Sequence, residues 1–580
     1  MKLEVLALDY DGTTAVAGVL DGSVRDALGE ARSRGLAVLL VTGRILADLQ
    51  RLLPGPQLFD AIVAENGGVL HFPASGRSLV LAQPPPPAFL DELRRREVPF
   101  LAGDVVVELD AAGADAVLAV IRDLQLPLVQ LFNRGRLMIL PQAVSKATGL
   151  REALRALRLS AHNTVGIGDA ENDHELLSFC ELGVAVAWGS AALREKADEV
   201  LPGHGPADVA KYVRALVDEP RIAPERLGRR KLHLGVREDG RPFALAMRGR
   251  NILVAGDTQS GKSWVAGVLC EQLALEHYCV CVIDPEGEYA TLEALPSVVV
   301  FDATPHEPDV DDLERTLRYP DVSVVLDLSA MELDAKRSCV RRILERLRDV
   351  RRRSGLPHRI VVDEAHYFLQ DPTVTDVLDL ELGGYTLVTW HASQLHADVL
   401  ASAEAILVTR VSDPDEARAL HALRGGAVPL DAWCERLDGL GRAYAALLPG
   451  AEESGDELVR FRVSARLTPH VRHQQKYLSR RTPDDRAFVL RGRRGSTGTP
   501  IHSLAELMAA LSAAPELGEH LRRRDLSRWI RDVLDDRVLA NRVRAIEERA
   551  GEGDVTQPHH DLIVAIRERY GAGAAKSPFA

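Results

Sequence analysis

In LALDYDGTT (residues 6–14) an apolar run stops on two aspartates spaced i, i+2, Asp9 and Asp11, and a glycine and two threonines follow at once. An Asp-Gly pair after a strand is most simply a turn. Three further stretches weigh against that bland reading. LLVTGR puts Thr42 at the end of a second apolar run, where its hydroxyl and free backbone amides could hold a phosphate. VSKATGL supplies Lys146, and GIGDAENDHELL supplies Asp169, Asn172 and Asp173 after a third apolar run. Carboxylate oxygens for Mg²⁺, a lysine cation for the transferring group and a carboxylate nucleophile are what phosphoryl transfer requires. A carboxylate needs no deprotonation to attack at neutral pH, but it does need a cation to offset charge repulsion.

A second inventory lies in NILVAGDTQSGKSW. Gly256, Gly261, Lys262 and Ser263 fit G-x-x-x-x-G-K-[ST], with a strand-like run before and the helical WVAGVLCEQLALEHY after. In that setting the loop Gly256, Asp257, Thr258, Gln259, Ser260, Gly261 cradles the phosphates of ATP with its amides. Lys262 reaches the β/γ oxygens, and the Ser263 hydroxyl joins Mg²⁺. HRIVVDEAHYFL follows further on, an apolar strand ending in Asp363 and Glu364. Asp363 suits the outer shell of Mg²⁺, and Glu364 suits polarising the attacking water.

These residues need elements that bring them together. Residues 1–75 alternate strand-like runs (KLEVLALD, LAVLLVTG, DAIVAENG) with helix-like ones (SVRDALGEARSRG, ILADLQRLL), the rhythm of a parallel sheet with helices on both faces. QPPPP at 83–87 interrupts it, an α+β stretch runs to about 143, and the rhythm then resumes, as when one domain is inserted into another. The strand ends would converge on one crevice, because ligands in doubly wound folds sit beyond the carboxyl ends of strands. The resulting division is a core at 1–75 and 144–215, a cap at 76–143, a polar linker at 216–230, a P-loop α/β domain at 231–468 and a mainly helical region at 469–580. The Pro-containing DEPRIAPERLGRRK should let the two halves fold as separate units.

Bulk properties narrow the setting. An apolar fraction of 46% with 27% charged residues is ordinary for a globular protein, and no apolar run approaches the ~20 residues of a bilayer span. The N-terminus enters a strand without a secretory leader's charged and apolar regions. Six cysteines contain no CxxC pair, so reduced, buried thiols are expected in a cytoplasmic protein without a membrane partner. A net charge of −13 excludes a global basic field for nucleic acid. The clusters RRILERLRDVRRR (341–353) and RGRR (491–494) read as solvated charged faces. Trp529 falls at core spacing with Leu526, Ile530 and Leu534, which points to packing rather than base stacking. His470, His473, His559 and His560 form no ligand set.

The first four motifs, present in order, resemble the haloacid dehalogenase phosphohydrolase superfamily, and most closely its Cof-type (class IIB) branch with an α+β cap. The resemblance implies a Rossmann-like core in which Asp9 takes the phosphoryl group and Asp11 is the general acid/base, touching metal through its backbone. Thr42 and Lys146 would hold phosphoryl oxygens. Asp169 would ligate Mg²⁺ with Asp9, supported by Asn172 and Asp173. The second half resembles the HerA/FtsK group of hexameric DNA-pumping ATPases, with a RecA-like fold, through CVCVIDPEGEY (279–289), GGYTLVTWHASQL (383–395) and AEAILVTRVSDPDEARAL (403–420). By that likeness Gln394 is a polar sensor and Arg410 reads the nucleotide. Two departures stand out. The small β-barrel that opens HerA proteins is replaced by the phosphohydrolase-like domain, and no arginine is identifiable as the finger donated by a neighbouring subunit. Arg341, Arg342 and Arg346 read better as a solvated face. Three functions follow: a phosphatase of small metabolites with an ATPase platform, a DNA-moving ATPase of repair or anti-phage defence whose phosphatase processes nucleotides or nucleic-acid ends, and an ATP-switched oligomeric scaffold.

Overall fold

The run VLALD (Val5–Asp9) is buried along its whole length, as a strand covered on both faces must be. It pairs in parallel with Ala37–Val41 on one side and Thr164–Gly168 on the other. The computed structural model describes the chain apart from residues 54, 134, 247–248, 304–306, 427, 470–481, 483–485, 491–497, 514–517, 535, 551–557 and 571–580. His470, His473 and the basic cluster 491–494 lie outside the described residues. Two units are distinguished, Met1–Pro285 with Leu292–Thr468, and Glu286–Thr291 with Pro469–Ala580.

Among the described residues, eight strands form the first sheet, in the order 199–201, 182–186, 164–168, 5–9, 37–41, 61–64, 69–72, 77–80. The first six run parallel, 69–72 returns antiparallel, and 77–80 pairs antiparallel to it and so runs with the first six. Between its halves sits a separate four-stranded antiparallel sheet, in the order 128–133, 136–141, 107–110, 101–102, backed by helices Pro87–Arg95 and Ala114–Asp123. Its buried face is alternate: Val107, Leu109, Leu137 and Ile139 pack on those helices. This is the cap, and insertion into the first domain is what its position between strands 77–80 and 164–168 requires.

The second sheet centres on seven parallel strands in the order 403–408, 251–255, 385–389, 359–362, 280–284, 323–327, 298–302. Four antiparallel strands, 444–447, 459–463, 231–237 and 242–246, extend one edge. The strand before the P-loop and the strand ending at Asp363 flank Tyr385–Thr389, so the two motifs open at one sheet edge roughly 10 Å apart. Within the C-terminal unit, helices Asp525–Asp532, Arg537–Ala550 and Pro558–Tyr570 share a core with Leu526, Trp529, Ile530 and Leu534, and the Trp529 indole donates to the Arg486 carbonyl at 3.0 Å. Trp529 is a packing residue. Among the described residues no helix is long and apolar enough to cross a membrane.

The stretch 216–230 is tied down. It begins inside helix Pro206–Asp218. Arg226 binds Glu199 at 2.5 Å and the Tyr212 hydroxyl at 2.9 Å, and Arg229 donates to the carbonyls of Leu177 and Cys180. Arg230 donates to the Phe179 carbonyl. The arginines that read as polar linker are thus engaged with carbonyls and carboxylates while staying part-exposed.

Beyond it the two sheets meet along a buried polar seam. His162 stacks on Tyr278, ring centroids 3.6 Å apart and planes 16° from parallel. Its Nδ1 lies 2.8 Å from Glu181 Oε2 and its Nε2 2.8 Å from the Glu276 carbonyl, just past the P-loop helix Lys262–Leu275. Glu181 also accepts from the Tyr278 hydroxyl at 3.0 Å and sits 3.1 Å from Arg230 Nε. Asn163 Oδ1 is 3.0 Å from His358 Nε2, while the Cys279 amide donates to His358 Nδ1 at 2.8 Å. Groups from both domains satisfy one another there, as buried polar groups must.

Candidate active sites

Asp9 closes its strand and Asp169 follows the neighbouring strand Thr164–Gly168, so parallel pairing alone sets both carboxylates at one edge. Asp9, Asp169 and Asp173 each offer a carboxylate oxygen, all within 4.8 Å of one another. Lys146 opens helix Lys146–Leu157, whose start is closed by reciprocal bonds between Ser145 and Thr148. From there its Nζ donates to Asp9 Oδ1 and Asp173 Oδ1, both at 2.5 Å. The Asp173 Oδ2 accepts from the amides of Asp169 and Ala170 at 3.0 Å, holding the turn that presents Asp169. Thr42 is buried beside them, and its hydroxyl accepts from the Arg44 amide at 3.2 Å, leaving its proton to donate elsewhere.

One ammonium faces three carboxylates here. Burial, then Asp173, pushes Asp9 well above the usual carboxylate range against the pull of Lys146. Burial opposes the Lys146 charge, but Asp173 and Asp9 outweigh it and raise its pKa. A divalent cation with oxygen ligands answers this excess of negative charge, and the Asn172 Oδ1, buried without a partner, adds a further oxygen for its surroundings. The residues fit Mg²⁺.

Asp11 stands apart from this cluster. Its carboxylate is gripped by Arg44, Nε to Oδ2 at 2.5 Å and Nη2 to Oδ1 at 2.6 Å, and both side chains line a crevice of about 740 Å³ with Asp169, Glu171 and Trp188. Three contributors were not picked out from the sequence. Arg44 had only its place after Thr-Gly as a signal. Trp188, whose indole donates to the Gly12 carbonyl at 2.7 Å, had none. The third is Glu65.

Glu65 opens the turn after strand Ala61–Ala64 and is 1% exposed. Its carboxylate accepts from three consecutive cap amides, those of Asp104, Val105 and Val106, at 3.1, 2.7 and 3.1 Å. Gly103 permits this approach, since a Cβ there would lie 2.5 Å from Oε2. The cap also rests on the phosphate turn through Met138, Leu140 and Val106 against Ile45. Glu65→Ala strands two buried donors, the Val105 and Val106 amides, and a part-buried one at Asp104, and should cost about 2–4 kcal/mol locally. Hydrogen exchange should report it as lost protection over 101–110 while the P-loop sheet stays protected; unchanged protection of 101–110 would refute the tether.

In the P-loop, Gly256 (φ +153°) could carry no side chain, because a Cβ would lie 2.0 Å from Thr409 Oγ1. Gly261 (φ +108°) makes the left-handed turn into the helix at Lys262. Lys262 Nζ donates to the Asp257 carbonyl at 2.8 Å. Ser260 Oγ lies 2.5 Å from Thr409 Oγ1, and Asp257 receives the Ser412 amide and hydroxyl and lies 3.5 Å from Arg410 Nε. Arg410 therefore borders the loop. Ser263 is half-buried behind Lys262, and Thr258 and Gln259 are exposed. Asp363 and Glu364 are buried at their strand end, with Glu364 in the left-handed region (φ +46°) and its Oε2 3.6 Å from His366 Nδ1. Gln394 accepts from Gln370 Nε2 at 3.1 Å, on the turn after the acidic pair. Arg341 pairs with Glu345, Arg342 with Glu307, and Arg346 with Asp311 and Glu314, so all three are engaged within their own chain.

Comparison with known proteins gives two family matches. Residues 105–212 match the haloacid dehalogenase-like hydrolase model, and residues 245–371 match the central domain of helicase HerA. A phosphoglycolate phosphatase of Methanothermobacter thermautotrophicus is 30% identical over 221 residues, covering 37% of this chain and 98% of that protein. Another from Halorubrum lacusprofundi is 31% identical over 208 residues, covering 34% of this chain and 89% of that protein. A solved haloacid dehalogenase-like hydrolase from Bacteroides thetaiotaomicron aligns at a TM-score of 0.34 with 18% identity, over 37% of this chain and 100% of that one.

Proposed function

This chain belongs to the haloacid dehalogenase-like hydrolases and carries a HerA-like ATPase domain behind the hydrolase domain, and on that footing we propose that it hydrolyses a phosphate monoester at one site and ATP at the other. The observation that carries the first half is Lys146 bridging Asp9 and Asp173 with Asp169 alongside. Asp9 Oδ attacks phosphorus as the ester P–O bond breaks, and Asp11 gives the departing oxygen its proton. Asp11 then takes a proton from water, whose oxygen displaces Asp9 from the aspartyl-phosphate and releases inorganic phosphate. Thr42 and Lys146 hold the phosphoryl oxygens throughout. Bound Mg²⁺ would neutralise charge between Asp9 and the phosphoryl group, with Asp9 and Asp169 as its carboxylates, the Asp11 backbone as a further contact and Asn172 and Asp173 in support.

For the substrate we take a small phosphorylated acid of the phosphoglycolate kind. The curated relatives are phosphoglycolate phosphatases, and Arg44 on the crevice wall, bound to Asp11 through Nε and Nη2, still brings positive charge to the space a substrate carboxylate would fill. A screen of phosphoglycolate, sugar phosphates, nucleotides and 3′- or 5′-phosphorylated oligonucleotides tests this. Phosphoglycolate should lead in kcat/KM by at least about tenfold; a nucleotide or oligonucleotide in first place would favour the nucleic-acid reading.

At the second site, residues 256–263 would hold ATP and Ser263 and Asp363 its Mg²⁺, while Glu364 would polarise water and Gln394 and Arg410 sense the nucleotide. By likeness to the HerA group, a cation completing the site is to come from a neighbouring subunit, in a ring of six. Native mass measurement with and without nucleotide should find that assembly, and a strict monomer at micromolar concentration under both conditions would rule it out. Stimulation of ATP turnover by double-stranded DNA tests the pumping role. The six free thiols fit a cytoplasmic setting.

A further inference from the structure

The seam between the hydrolase and ATPase domains encloses a cavity of about 40 Å³. That is room for more than a single water, but far too little for a nucleotide. Its polar walls include Arg351, Arg359, His358, Asn163, Glu181 and Tyr278. Arg351 and Arg359 are 4% and 1% exposed, and among the described residues neither is paired with a carboxylate. Arg351 Nη2 donates to the Gly383 carbonyl at 2.6 Å, and its guanidinium lies 5.0 Å from the Tyr385 ring centre. Arg359 donates to the carbonyls of Tyr385 and Arg250 and to the Thr386 hydroxyl. Arg351 Nε, Arg351 Nη1 and Arg359 Nε remain buried with no acceptor.

Nothing on the walls cancels this charge. Glu181 is the carboxylate there, and it is already taken by His162, Tyr278 and Arg230. His358 is neutral, because its Nδ1 accepts the Cys279 amide; burial, then His162 and Arg351, hold its pKa well below the ordinary value. Burial and the neighbouring Arg351 lower even Arg359, to about 10. Two guanidinium groups out of water, with no carboxylate in contact with either among the described residues, are a costly arrangement, and one that a bound anion would relieve.

We propose that this cavity is a site for a small oxyanion, held by Arg351 and Arg359 on the ATPase-domain side of the seam, and that inorganic phosphate is its ligand. A tetrahedral oxyanion accepts several guanidinium N–H groups at once, which a halide cannot do with the same directionality. Inorganic phosphate is also the common product of phosphate-ester and ATP hydrolysis. The inference goes beyond the functional reading above, since the cavity's chemistry stands whichever ester the crevice takes.

The test uses the full chain carrying Asp9→Asn and Lys262→Ala, which weakens phosphate binding at the two catalytic sites. Inorganic phosphate should raise Tm by about 2–4 °C over sodium chloride of equal ionic strength, and adding Arg351→Gln should remove that phosphate-specific rise. The same rise with Arg351→Gln, or no rise in the parent, overturns the proposal. Should Arg351→Gln not fold, crystals of the unsubstituted chain soaked in selenate give a second reading. An anomalous peak within hydrogen-bonding distance of both guanidinium groups supports the site; a cavity holding only water overturns it.

Discussion

Asp9→Asn should lower Mg²⁺-dependent hydrolysis of p-nitrophenyl phosphate by about 10³-fold or more, the scale on which loss of a covalent nucleophile is felt. The amide has the shape of the carboxylate but is a poor nucleophile and a poor metal ligand. It should not damage the fold. Burial and Asp173 raise the Asp9 pKa above its unfolded value, so the ionised form opposes folding above that unfolded value. A neutral Asn removes that opposition, and Tm in metal-free buffer should hold or rise. Loss of activity with an intact or higher Tm separates a chemical role from a structural one. Asp11→Asn is the companion. With its carboxylate on Arg44 and away from Lys146, it should slow turnover by about 10²–10⁴-fold while leaving Mg²⁺ affinity unchanged. Wild-type turnover by Asp9→Asn would remove the crevice as the site of phosphoryl transfer.

The other large effect is expected at Lys262. Lys262→Ala withdraws the cation that the β- and γ-phosphates need and should reduce ATP turnover by about 10²–10³-fold. Glu364→Gln should retain ATP binding and lose turnover to a similar degree. With p-nitrophenyl phosphate both variants should keep the wild-type rate, since Lys146 is bonded to Asp9 and Asp173 within the hydrolase crevice and Lys262 to the Asp257 carbonyl of its own loop. Equal loss of phosphatase activity in a folded Lys262→Ala protein would instead make the seam a transmission path between the sites, because the His162 contact with the Glu276 carbonyl stands at the foot of the strand that leads to Asp169.

What could be read from residue order was whatever had a local signature. Asp9, Thr42 and Asp169 each follow an apolar run, and in a parallel sheet that already implies a shared edge. Residues 256–263 carry their own spacing. Glu65 was out of reach, since its partners are backbone amides some forty positions away and no residue type marks an amide as a ligand. The seam was hidden for the same reason. Glu181, Tyr278 and His358 are single polar residues with no periodicity, and their meaning arises only when distant strands align. At 216–230 composition misled, because arginine beside proline looks alike whether it faces water or a row of carbonyls.

That seam bears on what happens if the polypeptide is severed near residue 225. The N-terminal fragment would keep its complete sheet, yet Glu181 would lose the Tyr278 hydroxyl and Arg230, and His162 its stacking ring. The C-terminal fragment would bare Tyr278 and His358 and open Arg351 and Arg359 to water. Each piece would thus present a raw face of mixed aromatic and charged groups, fitted to the other and to little else. Two fragments made separately should be poorly soluble alone and should reassemble when co-expressed, so that each enzyme acts as the folding partner of the other.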